Sequence, residues 1–355
     1  MRVPRMIPLT VSMTPGLPSE LAHMKREKAT TLAQQGFALV LVLWVLSLLT
    51  IMAGSFALSM RRETSIIASI KNNAEAAAVA ESGIAIAELM LLNPDQNKRW
   101  RTDGTIYQII NADALGSDNA EVRVRLLAET GKIDINKADQ KLLAGLMAQL
   151  PVEDEQQGVK LVGAILDWRD EDDLINIDGA EQKEYKEAGL SYQPRNKPFQ
   201  TVDELQLVLG VDRTIYEWLE PLVTVYSGQP NVNVQYASKD VLRVLPDVDV
   251  DLIDDYMAAR LESITNGSPA PASPFGVGKT KSAGDGEALT LVSEALLDDG
   301  SRAVVSAVIK AGGGTQVGQP FQVLEWHRNT VSDGSLFADT VGASTISELL
   351  VKNYK

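Results

Sequence analysis

The chain of 355 residues contains no cysteine and only two histidines. The absence of cysteine excludes disulfide bonds and thiolate metal sites. His23 lies in the N-terminal basic segment, so His327 is left alone, and neither a histidine-based zinc centre nor a catalytic triad is expected. Basic residues are also the minority, because 33 Lys and Arg face 47 Asp and Glu. Such an acidic chain argues against nucleic acid as a partner and suits a hard cation.

Charge is missing altogether from the 24 residues between Phe37 and Met60. At about 1.5 Å per residue, a helix of that length crosses the apolar part of a bilayer. The run is longer than the roughly 7–15 residues of a secretory signal peptide, and its small residues 53–55 lie inside it instead of after it. Because Lys25, Arg26 and Lys28 precede it, we expect a single-pass inner-membrane anchor with the C-terminal region in the periplasm.

The junction before this run, Gln34-Gln35-Gly36, resembles the cleavage site of type IV prepilins. The resemblance implies a leader of residues 1–36, a cut by prepilin peptidase between Gly36 and Phe37, and methylation of the new Phe37 amine. Pilin-like proteins usually carry Glu at the fifth mature position, where this chain has Leu41. The leader is long, and translation could begin at one of four methionines: Met1, Met6, Met13 or Met24.

Apolar and Ala-rich positions at helical spacing continue the anchor to about Leu92, and Asn93-Pro94 should end the helix. Alternating segments at 121–127, 289–295, 302–308 and 321–326 predict strands, with an Asp-Gly turn at Asp299-Gly300. Strands on both sides of a long helical segment indicate an inserted domain. An alternative interpretation of the N-terminal half is a membrane anchor followed by a coiled stalk.

The predicted fold class is therefore α+β, a pilin-like fold with a long N-terminal helix, a small antiparallel sheet and a large inserted α-helical domain. The predicted divisions are the leader (1–36), transmembrane helix (37–60), helix stem and first strands (61–130), inserted domain with an acidic loop (131–265), flexible linker (266–287), strands completing the sheet (288–328), and a polar, weakly helical and poorly ordered tail (329–355).

The inserted domain contains a weak internal repeat, Lys132–Asp139 and Asn231–Ser238, each followed by a short amphipathic helix with a polar cap. It resembles helix-hairpin-helix elements, which bind DNA through glycine-rich turns. Here Asp247, Asp249 and Asp251 stand where glycines would, and they would repel phosphate, so a structural module is the better interpretation. Residues 276–280 match only part of a phosphate-binding loop and lie in a linker.

Seven carboxylates crowd the segment from Asp167 to Glu181. Such charges repel one another unless they are solvated or bridged, and Ca²⁺ accepts about six to eight oxygen ligands with loose geometry. The segment is not an EF-hand, since the sixth position of a loop starting at Asp170 is Ile175. From the residues alone, a solvated acidic loop and a calcium site are both open.

DWRDEDD (167–173), GAE (179–181), YQPRNKPF (192–199) and VDEL (202–205) occur in the order found in protein K of type II secretion systems, and the chain is similar to that family. The resemblance implies structural calcium bound by an acidic loop, with the ligands Asp167, Asp170, Asp172, Asp178 and Glu181. Gln182 departs from the family pattern. It also implies a minor pseudopilin without enzyme activity, at the filament tip with minor pseudopilins I, J and H.

Two other classes of function remain as alternatives. One is a membrane-anchored helix-hairpin-helix protein of DNA uptake or adhesion, which should bind DNA with a steep salt dependence. The other is a metal-dependent hydrolase that uses the acidic cluster, in which Asp170→Ala should abolish activity without loss of the fold.

Overall fold

The computed structural model describes residues 31–95, 98–110, 120–152, 154–266, 268–275, 287–312, 320–328, 335–338 and 346–350. The chain divides into two units, Met1–Ile67 and Ala68–Lys355. Both hydrophobic cores lie in the second unit, and they contain only residues from Ala76 onward. All side chains from 37 to 71 are exposed, so no described side chain of the first unit belongs to either core.

One helix, α1, runs from Thr31 to Leu91 without interruption. Leu, Val and Ala dominate the first half of this helix, and Ala dominates the second half. The helix contains no proline, so helix propensity is high throughout. The predicted continuous helix is confirmed. By length and composition, the segment beginning at Phe37 is able to cross a membrane.

The strands form a six-stranded sheet in the order β7-β6-β5-β2-β1-β8. Their bounds are β1 Asp103–Ile110, β2 Ala120–Ala128, β5 Ala288–Leu297, β6 Arg302–Ala311, β7 Phe321–Arg328 and β8 Ile346–Leu350. All neighbours are antiparallel except β1 and β8, which are parallel. The four predicted strands are confirmed as β2, β5, β6 and β7, whereas β1 was not predicted.

The weakly helical assignment at the end of the chain is wrong, because Ile346–Leu350 is a strand paired with β1. A five-residue apolar segment has no strong local preference, and its pairing with a distant strand decides its structure. The predicted disorder of the tail falls mainly on residues outside the described ranges.

The second half of α1 packs on one face of the sheet. Ala76, Ala80 and Ala87 are fully buried there, and small residues let the helix approach the strands closely. Gly83 marks the closest approach, since a Cβ at that position would overlap Ser293 Oγ and lie 2.9 Å from Val122 Cγ1. This arrangement of one long helix against an antiparallel sheet is the pilin-like architecture expected from the sequence.

A helical domain is inserted between β2 and β5, two strands that pair directly, with Ala128 opposite Leu289. It comprises α2 Gln140–Met147, α3 Glu155–Arg169, α4 Gln182–Glu187, α5 Arg213–Leu219, α6 Lys239–Val244 and α7 Ile253–Thr265, together with short parallel strands β3 Ile133–Asp134 and β4 Val223–Thr224. Its core is separate from that of the sheet and centres on Trp168, Leu143, Ile165 and Leu219.

The internal repeat is confirmed in the structure. The carboxylate of Asp139 accepts a hydrogen bond from Leu142 N at 2.8 Å and caps α2, and Ser238 Oγ accepts one from Val241 N at 3.2 Å and caps α6. The turn after α6 places Asp247 at φ 66°, a left-handed conformation that glycine adopts most readily. An aspartate therefore occupies the backbone position that a phosphate-binding hairpin gives to glycine.

The predicted linker, 266–287, is packed in part. Phe275 is buried and lies edge-on to Tyr256, with ring centroids 5.4 Å apart. The partial phosphate-loop motif at 276–280 lies outside the described residues.

Candidate metal-binding loop

The acidic loop, residues 170–181, leaves the C-terminal end of α3 and enters α4. Its base is fixed by Trp168, which is 1% exposed and stacks on Phe199 with centroids 5.9 Å apart. The guanidinium of Arg169 donates to the carbonyl of Ala138 at 2.6 Å and to that of Ile135. The end of α3 is thereby tied to the first repeat.

Asp167 organises the loop from inside. It is fully buried, its Oδ1 accepts from Asn176 N at 2.9 Å and Asn176 Nδ2 at 2.5 Å, and its Oδ2 accepts from Ala180 N at 2.7 Å. Gly179 permits this arrangement, because a Cβ there would overlap Asp167 Oδ2. A Cβ at Gly163 of α3 would lie 2.7 Å from the Gly179 Cα. Both glycines are therefore needed for the loop to close onto α3.

Asp170 and Glu181 each retain a buried carboxylate oxygen, Asp170 Oδ1 and Glu181 Oε1, that no hydrogen bond satisfies. Burial, and after it the charges of Asp167, Asp170, Asp173 and Asp172 in that order, together raise the pKa of Glu181 to about 7. Burial also raises the pKa of Asp170, with added repulsion from Asp167 and Asp172. A buried oxygen without a donor beside other carboxylates is the environment that a bound cation stabilises.

The remaining predicted ligands differ in their surroundings. Asp172 Oδ1 accepts from Leu174 N at 2.9 Å, which closes a turn. Asp178 is exposed with φ 56° and is not among the charges that raise the pKa of Glu181. Asp173, which the sequence did not single out, is among them, and it accepts from Asn196 Nδ2 at 2.8 Å.

Across the described ranges, no group of three or more His, Asp or Glu side chains is arranged as a ready metal centre. The structure brings Asp167, Asp170, Asp172 and Glu181 into one neighbourhood but does not close them around a point. The two unsatisfied oxygens and the mutual repulsion fit a hard divalent cation, so the calcium assignment stays a prediction.

The predicted cleavage junction lies within α1. The backbone is helical on both sides of Gly36 and Phe37, and the Phe37 side chain is exposed. Leu41 is exposed as well, as are all side chains of the apolar run. Cleavage and methylation at this position stay predictions.

Comparison with known proteins identifies relatives. A family model described as type II secretion system (T2SS), protein K, matches residues 111–228. The chain is 24% identical over 256 residues to type II secretion system protein K of Klebsiella pneumoniae, covering 67% of this chain and 78% of that one. It is 27% identical over 209 residues to protein K of Aeromonas hydrophila, covering 54% and 63%. The crystal structure of the GspK-GspI-GspJ complex of the enterotoxigenic Escherichia coli type 2 secretion system aligns with 76% of this chain and 99% of that chain, at 16% identity and TM-score 0.46.

Proposed function

We propose that the chain belongs to the protein K family of type II secretion systems and that it is the minor pseudopilin at the tip of the secretion filament. The observation that carries the proposal is the combination of a continuous apolar helix, a pilin-like sheet and a large inserted domain. The inserted domain is too bulky to be a repeating shaft subunit. It suits a subunit that begins the filament and caps it while folded proteins are exported across the outer membrane.

Processing would set the subunit free to assemble. Prepilin peptidase would cut between Gly36 and Phe37 and methylate the Phe37 amine, after which α1 anchors the subunit in the inner membrane with the folded domains in the periplasm. The test is the N-terminal mass of the protein extracted from cells with and without prepilin peptidase. A methylated Phe37 terminus that depends on the peptidase supports the proposal, and an uncut chain in both strains contradicts it.

Leu41 supports a position at the tip. A carboxylate within lipid is costly unless it is paired, so a pilin keeps Glu at the fifth mature position only where a neighbour's amine can meet it. A subunit with no neighbour above it has no such amine to neutralise. Since growth adds subunits from below, the subunit with Leu41 would stay at the top.

Minor pseudopilins I and J are the proposed direct partners, and H would join through them. GspK, the structural neighbour, was solved in complex with GspI and GspJ. The test is co-purification of I and J with the mature chain from membranes, using a Gly36→Asp variant as the unprocessed control. Recovery of I and J in a defined ratio supports the assignment, and capture of neither would contradict it.

Calcium is the proposed structural cofactor of the acidic loop. Asp170 and Glu181 would hold the ion through the oxygens that lack donors, Asp172 and Asp173 would add negative charge, and Asp167 would keep the loop closed. When bound, the ion supplies charge neutralisation alone. Chelation should lower the melting temperature of the fragment 68–355, and added Ca²⁺ should restore it. An identical melting curve with and without chelator would contradict the site.

A structural role follows better than a catalytic one. Asp167, Asp172 and Asp173 accept hydrogen bonds from backbone or amide donors, and Asp170 and Glu181 are held beside other carboxylates. The DNA-binding alternative is not favoured, because Asp247 occupies the turn position where a phosphate would approach.

A further inference from the structure

An apolar groove runs between α2, α3 and the acidic loop. Its volume is 560 Å³, and its lining is mainly aliphatic, including Ala144, Met147, Leu150, Val159, Leu166 and Ile177. A space of this size accepts several side chains of a bound segment, within the about 300–1,000 Å³ common for ligand pockets. The groove lies entirely in the inserted domain and at a distance in sequence from α1.

The acidic loop carries exposed aliphatic side chains, of which Ile177 lines the groove and Leu174 and Ile175 precede it closely in the sequence. Leu174 is 76% exposed, Ile175 54% and Ile177 84%, and Val159 on α3 is 55% exposed. They are held in that position, because Asn176 between them donates twice to the buried Asp167. A rigid display of adjacent aliphatic side chains in water is unfavourable unless they meet a partner.

The loop segment of this apolar surface carries charge of one sign. Residues 170–182 contain six carboxylates and no Lys or Arg, and one divalent ion would leave them net negative. Anionic lipid would be repelled from this rim. A second copy docking through the same face would bring two acidic rims together. Charge complementarity therefore favours a basic partner.

We propose that this groove, with Leu174, Ile175 and Ile177, binds an amphipathic segment of another protein, whose aliphatic side chains fill the groove and whose Lys or Arg residues contact the acidic loop. The surface is a helix-in-groove site of the usual kind, with apolar anchors for affinity and charge for orientation. The inference concerns the inserted domain and does not depend on the tip assignment.

The fragment 68–355 is suitable for the test, because it contains every residue of both cores. The probe is a fluorescein-labelled helical peptide of Leu and Lys, and its control replaces each Lys with Glu. Fluorescence anisotropy should show saturable binding of the Lys peptide that weakens with salt. The triple variant Leu174→Ser, Ile175→Ser and Ile177→Ser should bind about tenfold more weakly or not at all.

The matched control variant is Leu207→Ser with Val250→Ser, which removes exposed aliphatic side chains of the same domain away from the groove. It should bind the peptide as the unaltered fragment does, and melting curves should show that both variants fold. Equal binding by the triple variant, or equal binding of the Glu peptide, would overturn the proposal. The proposal would also be overturned if the fragment bound no peptide but sedimented with phosphatidylglycerol vesicles, because the surface would then bind a membrane. It would likewise be overturned if the fragment dimerised and the triple variant did not, because the surface would then bind a second copy.

Discussion

Glu181 shows how burial and neighbouring charges change the titration of a single carboxyl. Burial and four neighbouring aspartates raise its pKa from 4.5 to about 7. Between those two pH values the folded state keeps a proton that the unfolded state has released. Glu181 therefore contributes most to the stability of the folded state at acidic pH. This contribution is lost as the pH rises from about 4.5 through about 7.

The first prediction compares the fragment 68–355 with its Glu181→Gln variant in chelator. Raising the pH from 5 to 8 should destabilise the unaltered fragment relative to the variant, because Gln cannot ionise. The measurement is the free energy of unfolding in urea at each pH, and saturating Ca²⁺ should reverse the difference at pH 8. Parallel pH profiles for the two proteins in chelator would contradict the raised pKa.

Gly179 offers a second test at this scale. A Cβ there would overlap the buried Asp167 carboxylate, so Gly179→Ala should cost about 3 kcal/mol, the upper end of the range for overpacking. Gly189→Ala in the same region meets no atom within 4 Å and should cost only about 1 kcal/mol for its left-handed backbone. Urea unfolding of both variants checks the comparison, and equal costs would show that the loop relaxes away from α3.

Much of the site could be predicted from residue types, but not all of it. The crowding of carboxylates identified the loop, because unpaired negative charge is visible in a sequence. The choice between Asp173 and Asp178 was not visible, since the left-handed turn at Asp178 decides which side chains face Glu181. Asn176 was missed for the same reason, because its contact with Asp167 exists only after the loop has closed.

Among the elements, the two repeats share more than their caps. In each, the side chain of the third residue closes a turn. Asp134 Oδ1 accepts a hydrogen bond from Asn136 N at 2.9 Å, and Asn233 Oδ1 accepts one from Gln235 N at 3.1 Å. Asp139 and Ser238 then begin α2 and α6. Local signals of this kind, polar caps and turns, are written in short stretches of sequence and were therefore predictable.

Removing a cap should have a modest and local effect. Asp139→Ala removes the acceptor for Leu142 N and should lower the free energy of unfolding by about 1 kcal/mol, whereas Asp139→Asn, which keeps an acceptor, should cost only a fraction of that. Chemical denaturation of the fragment measures both. A loss equal in the two variants would mean that the charge of Asp139, and not its capping bond, stabilises α2.

The two strands at one side of the sheet, β1 and β8, were the elements that sequence reasoning missed. β8 pairs with a strand far away in the chain, with Tyr107 of β1 opposite Ser347, whereas β1 also pairs with β2, the next strand in the sequence. The central strands β2 and β5 have clear alternation or continuous apolar character, because one or both of their faces are buried.

In the second unit as a whole, Glu129 joins the inserted domain to the sheet. Its carboxylate is 2% exposed and accepts from Thr290 Oγ1 of β5 at 2.6 Å and from the hydroxyl of Thr224 in β4. Lys132 Nζ lies 2.9 Å from the same carboxylate. One buried group thus receives donors from both parts of the unit, which makes their attachment cooperative.

Glu129→Ala should destabilise the fragment by about 3 kcal/mol, because it leaves two hydroxyls and an ammonium without their acceptor. It should also separate the unfolding of the inserted domain from that of the sheet. Differential scanning calorimetry would then show two transitions where the unaltered fragment shows one. The stability of the Glu129→Gln variant should lie between those of the unaltered fragment and the Glu129→Ala variant. A single transition at an unchanged midpoint would contradict the joining role.

The ends of the inserted domain leave from residues that face each other across one ladder, Ala128 and Leu289. Directly opposed residues of antiparallel strands lie only about 5 Å apart, the distance spanned by an ordinary hairpin turn. The inserted domain therefore stands in the place of a hairpin turn, and the pairing register of β2 and β5 does not depend on it. Replacement or loss of the inserted domain in the course of evolution would leave the pilin-like helix and sheet intact. The inserted domain can thus diversify without any change in the long helix or in the sheet.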